Sequence, residues 1–286
     1  MLYSFKVQNL TTMKKIIAPV DFSDTAANAA IFAGNLAEFY GAELWLYHSY
    51  EMVVPVTEYG YSYISIGEMQ QAAEHELEEF KKRVQTALRR NINIVIKAEN
   101  ATLTDGLEAL CDELKPELVV MGLSGKNALT RLVVGSNTIR TIHNLTYPVL
   151  VVPPKATFIP VRKIGFACDY KKVIETTPVH LLKKIVHDFN AELHVLNVEY
   201  SNAPVPVTKV EESMYISELL SELKPSYQTI LSADITNGIN WFSSKEKIDL
   251  IVVIPKKHNL IEKMFSRSQT KELLYHTHVP VLCVHE

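Results

Sequence analysis

Lys14-Lys15-Ile16-Ile17-Ala18-Pro19-Val20-Asp21 recurs, with its basic, apolar and acidic positions in step, as Arg162-Lys163-Ile164-Gly165-Phe166-Ala167-Cys168-Asp169. Each copy is a basic pair, a short apolar run and an aspartate, the pattern of a strand buried on both faces that ends in a carboxylate. Further matches extend the repeat. Gly41-Ala42-Glu43-Leu44 pairs with Asn190-Ala191-Glu192-Leu193, and Tyr147-Pro148-Val149-Leu150-Val151-Val152 with Val279-Pro280-Val281-Leu282-Cys283-Val284. The aspartates lie 148 positions apart and the prolines 132, so the second copy is shorter by about 16 residues. A repeat on this scale sets the architecture before any single element is assigned. The expected organisation is an N-terminal extension over 1–12, a first domain over 13–154 and a second over 155–286, joined near Pro153 to Pro160.

Within the first copy, apolar runs alternate with segments of helical period. Strands are expected over Lys15 to Val20, Glu43 to His48, Asn93 to Ala98, Leu118 to Met121 and Val149 to Val152. Ser23 is placed to cap the helix after the first strand, and Gly41 to end it. Met69, Ala73, Leu77, Phe80, Val84 and Leu88 form one apolar stripe on a second helix, a packing face. A third helix is expected from about Thr104 to Leu114, and a fourth from Gly135-Ser136. Strand–helix alternation with right-handed crossovers gives an α/β fold of two tandem doubly wound, Rossmann-like domains, each with a five-stranded parallel sheet. In the second copy the second helix is shortened after Pro204-Val205-Pro206.

Composition excludes several classes. Of 286 residues, 47% are hydrophobic and 21% charged, which is the balance of a folded globular chain rather than a disordered one. Net charge is -3; residues 1–154 carry 13 basic against 17 acidic groups and the remainder 16 against 15, so neither half is a nucleic-acid clamp. The absence of a long apolar run or a signal-like N-terminus leads to the expectation of a cytoplasmic protein without a membrane partner. Cys111, Cys168 and Cys283 lack paired spacing and are expected to be free thiols.

In an open parallel sheet, ligands lie beyond the carboxyl ends of the strands. There the sequence has Met121-Gly122-Leu123-Ser124-Gly125, followed by Gly135-Ser136-Asn137-Thr138, a G-x2-G-x9-G-S spacing. Glycine lets backbone approach a ligand closely, and free amides at a helix start attract phosphate, with Ser136 and Thr138 adding hydroxyl donors. The arrangement suits a polyphosphate. The alternative is that these glycines merely end a strand and start a helix. It is neither a P-loop nor a dinucleotide-binding fingerprint.

The opening Lys15-to-Ser23 stretch, the Gly122-to-Ser136 signature and the closing Pro148-to-Pro153 run resemble the universal stress protein family, specifically its tandem two-domain members, from Met13 to Glu286. The resemblance implies a HUP-class domain that binds ATP or a related adenine nucleotide, with any Mg held by the phosphates. By position, Pro19, Val20 and Asp21 would border adenine and ribose, with Ser49 as another wall. Met121, Gly122 and Gly125 would contact ribose and phosphate, and Gly135, Ser136, Asn137 and Thr138 would hold the phosphate chain. Asp21 has a second reading, as a cap for the following helix. The second copy departs where the chemistry would lie. Arg267-Ser268 stands opposite Gly135-Ser136, and Ile254-Pro255-Lys256-Lys257-His258 opposite Met121 to Gly125 with one residue of slippage, so its site is expected to be altered or non-binding, although Asp169 persists.

Other features point less far. His276-Thr277-His278 offers two metal ligands on a strand edge without a third nearby; Tyr59, Tyr61 and Tyr63 suit a lid or a contact; the carboxylate beside Cys168 disfavours a thiolate. Three functions stay open: a nucleotide-binding regulator with no catalytic residues, an ATP-using HUP-class enzyme, and a scaffold whose site is empty. The two copies are expected to pair through their last strands as an internal pseudo-dimer, and a homodimer of the whole chain is a further option.

Overall fold

The computed structural model describes residues 14–51, 56–57, 60–61, 66–123, 136–199, 207–255 and 267–285. The first half runs β1 (Lys15–Pro19), α1 (Asp24–Tyr40), β2 (Glu43–Tyr50), a small antiparallel pair β3 (Val56–Thr57) and β4 (Gly60–Tyr61), α2 (Ile66–Ala87), β5 (Ile94–Asn100), α3 (Leu103–Leu114), β6 (Leu118–Gly122), α4 (Ser136–Asn144) and β7 (Val149–Val152). The second half runs β8 (Lys163–Ala167), α5 (Val173–Thr176), α6 (Val179–Phe189), β9 (Glu192–Glu199), α7 (Val207–Leu219), a short 3-10 turn, β10 (Ser226–Leu231), α8 (Ile235–Glu246), β11 (Leu250–Val253), α9 (Arg267–His276) and β12 (Val281–Cys283).

Ten of these strands form one sheet in the order β10-β9-β8-β11-β12-β7-β6-β1-β2-β5. Every pairing in it is parallel except β12 with β7, where Leu282 faces Leu150 and Val281 faces Val151. Each half is therefore a doubly wound five-stranded parallel sheet, and the apolar edge that each would expose is covered by the other. One face is packed by α1, α2 and α6, the other by α3, α4, α8 and α9.

Local sequence accounts for the elements. Ser23 caps α1, its Oγ accepting from the amide of Ala26 at 3.2 Å, and Gly41 closes the helix in the left-handed region at φ 67°. The α2 stripe is buried at Ala73, Leu77, Phe80, Val84 and Leu88. Thr102 caps α3, and Lys115 ends it.

One element differs from a plain repeat. Where α1 is a single helix of 17 residues, the second half has α5 of 4 residues, Thr177-Pro178, and then α6. Pro178 cannot donate a helical hydrogen bond, and Lys172 enters α5 with φ 50°. The α2 counterpart, α7, spans 13 residues against 22. The His276-Thr277-His278 run lies at the end of α9 and in the turn before β12, not on a strand edge, and no group of three or more metal-ligating side chains occurs among the described residues.

Candidate functional site

Strand order reverses at β1, which has β2 on one side and β6 on the other, so successive crossovers leave to opposite faces, and the carboxyl ends of β1 and β6 are where a sheet of this kind offers a ligand its crevice. Pro19, Val20 and Asp21 lie at the end of β1, Ser49 near the end of β2, and Met121 and Gly122 at the end of β6. Ser136, Asn137 and Thr138 open α4. Gly125, Gly135 and the Ser136 side chain lie outside the described residues, as do Tyr59, Tyr63, Lys256, Lys257, His258 and the side chains of Tyr61, Arg267 and Ser268.

Asp21 accepts from the amide of Ser23 at 3.1 Å and from its hydroxyl at 2.5 Å, while Ser23 caps α1. The carboxylate is thus fixed at the helix start, where the positive end of the helix dipole favours it. Val20 donates its amide to the Tyr47 carbonyl at 2.8 Å, and its own carbonyl accepts from His48 Nδ1 at 2.8 Å, which sets that imidazole as the Nδ1–H tautomer. Both backbone groups of Val20 are therefore engaged within the protein, and its side chain is buried in the core. Phe22, between Asp21 and Ser23, has φ 63°, an uncommon conformation for a bulky residue. Its ring packs 4.4 Å from that of His48 and 5.7 Å from that of Phe80.

The second half repeats this elbow. Cys168 donates its amide to Leu196 at 2.8 Å, Asn197 Nδ2 donates to the Cys168 carbonyl at 2.7 Å, and Tyr170 after Asp169 has φ 50°. His48 and Asn197 occupy equivalent positions, so two different side chains perform the same bond. Phe22 and His48 were not singled out in the sequence; the aspartate–aromatic step repeated at Phe22 and Tyr170 was the available signal.

Gly122 and Thr138 are already engaged with the protein. A Cβ on Gly122 would lie 2.8 Å from the Thr25 carbonyl oxygen, so the missing side chain admits the first turn of α1. Thr138 is 5% exposed, and its hydroxyl donates to the Gly122 carbonyl at 3.0 Å, tying α4 to β6. In the second half Ile254 stands where Gly122 does and is buried, in the same core as Val173 of α5.

Together these features define a tandem doubly wound α/β protein with a switch-point crevice in its first half. The universal stress protein family model matches residues 12–153 and 161–285, and the chain belongs to that family. A universal stress protein of Methanocaldococcus jannaschii is 31% identical over 141 residues, covering 49% of this chain and 81% of the relative. Another, of Thermus aquaticus, is 32% identical over 147 residues, covering 49% and 98%. The crystal structure of a universal stress protein from Archaeoglobus fulgidus superposes with a TM-score of 0.67 over 96% of this chain and 97% of its own, at 15% identity, a likeness of fold.

Proposed function

We propose that the first half, residues 13–154, binds ATP or a related adenine nucleotide in the crevice between β1 and β6, and that the chain is a stress-response regulator rather than a catalyst. The observation that carries this reading is the convergence of Asp21, Gly122 and the start of α4 on one switch point. Pro19, Val20, Asp21 and Ser49 would flank base and ribose; Met121, Gly122 and Gly125 the ribose and phosphate; Gly135, Ser136 and Asn137 the phosphate chain, with any Mg carried by the phosphates. Thr138 would act indirectly, by fixing α4 against Gly122. In the second half, residues 155–286, Ile254 and Pro255 replace the open backbone, so one nucleotide per chain is expected. No helix among the described residues is long and apolar enough to cross a membrane, in keeping with a cytoplasmic role.

The scaffold reading has its own support, because the lack of a Cβ at Gly122 and the Thr138 hydroxyl both serve internal packing. Calorimetric titration with ATP, together with mass spectrometry of small molecules released from the natively purified protein, separates the two. One saturable site supports the nucleotide reading. No heat with ATP and no co-purified nucleotide supports the scaffold, and two equivalent sites overturn the asymmetry.

A further inference from the structure

Where the two halves meet, the face of the sheet carrying α1 and α6 holds a cavity of about 450 Å³. None of the crevice residues described above lines it. Its floor includes Leu150 and Leu282, facing each other across the antiparallel junction, and its walls include Leu36 of α1 and Ile185 of α6. Phe158 and the 55%-exposed Ile159, in the segment joining the halves, close the remaining side. That segment is held by Asn28, whose Nδ2 donates to the carbonyls of Pro153 and Ala156 at 3.2 and 3.1 Å. A volume of this size lies within the roughly 300–1,000 Å³ of small-molecule sites.

Register gives the cavity a direction. It reaches Leu118 and Pro148 at one end and Leu250 and Pro280 at the other. Pro280 continues the β12 register to a level with Val152, and Pro148 lies four residues before Val152, so the cavity runs about 13 Å along the strands. That length and lining fit an extended chain. The ends differ in charge. Lys155, Lys247 and His278 all belong to the Val152–Pro280 end. Among the described residues no carboxylate lies within 4.0 Å of Lys155 or Lys247, and His278 Nε2 lies 3.5 Å from the Ser244 hydroxyl. The acids are engaged: Asp249 Oδ2 accepts from the amides of Arg162 and Lys163 at 2.8 and 3.0 Å, and Glu117, at the far end, accepts from the amide of Lys15 at 2.9 Å.

We propose that this interdomain cavity binds a single-chain fatty carboxylate, its tail along Leu150 and Leu282 and its head at Lys155, Lys247 and His278. The test is calorimetric titration of the full chain with octanoate, decanoate and dodecanoate, and with dodecanol, below their micellar concentrations. Dodecanoate should bind at one site per chain, and affinity should rise with length by up to about fourfold per methylene. Lys155→Gln with Lys247→Gln, both exposed, should weaken dodecanoate at least tenfold and leave dodecanol unchanged. Leu36→Trp or Ile185→Trp should block both ligands in protein with native circular dichroism; should either fail to fold, the lysine pair still decides. Lack of saturable dodecanoate binding, or binding indifferent to the lysine substitutions, overturns the proposal.

Discussion

The Gly122 Cα lies so close to α1 that a Cβ built on it would sit 2.8 Å from the Thr25 carbonyl oxygen and 3.1 Å from its carbon. Both are backbone atoms of a capped helical turn, and they cannot rotate away as a side-chain tip could. Gly122→Ala should therefore destabilise the fold by about 1–3 kcal/mol, the usual cost of overpacking. Urea denaturation would read it, and the loss should appear with or without nucleotide. An unchanged midpoint would mean that the glycine serves the ligand alone.

A tighter contact lies inside the first half. A Cβ on Gly106, in α3, would fall 2.0 Å from the Tyr47 hydroxyl. Gly106→Ala should cost about 2 kcal/mol or more, and Tyr47→Phe should relieve most of it, giving a favourable coupling in a double-mutant cycle. The single change Tyr47→Phe loses the 3.1 Å bond to Glu99 Oε2 and should cost about 1 kcal/mol. Additive effects would refute the contact.

Burial pushes the Cys111 thiol from its usual 9 up to about 12, with Asp112 and Glu108 adding to it, and burial also raises Cys283. Because the folded value exceeds the unfolded one, this contribution is fully present below pH 9 and is lost as pH rises towards 12. Stability should fall as pH rises from 9 to 10, and Cys111→Ala should reduce that fall by about 1 kcal/mol. All three cysteines are buried, so a thiol reagent at pH 8 should label none in the native protein and three after denaturation.

At the proposed nucleotide site the expected order is Gly135→Val abolishing ATP binding and Ser136→Ala weakening it by about tenfold, the loss of a hydrogen bond to a charged group at on the order of 1–3 kcal/mol. Ser268→Ala in the second half should change nothing. Unchanged affinity in Gly135→Val with native circular dichroism would remove the phosphate assignment.

The repeat of Lys14 to Asp21 in Arg162 to Asp169, the Ser23 and Gly41 caps and the Met69-to-Leu88 stripe were all legible in the chain. Each depends on local chemistry: β-prone apolar runs, a hydroxyl before a helix, an apolar face every three or four residues. Such signals determined two doubly wound halves and the strand ends where a ligand would sit. Tertiary structure decided what those residues do with their atoms. Gly122 is a glycine that α1 needs, the Thr138 hydroxyl is held by the Gly122 carbonyl, and His48 and Asn197 make the same bond with unrelated side chains. The break between α5 and α6 and the cavity between the halves belong to the same level. Each arises from the approach of segments distant in sequence, set by how two sheets pair through β7 and β12 and how helices settle on them, and no local pattern encodes that distance.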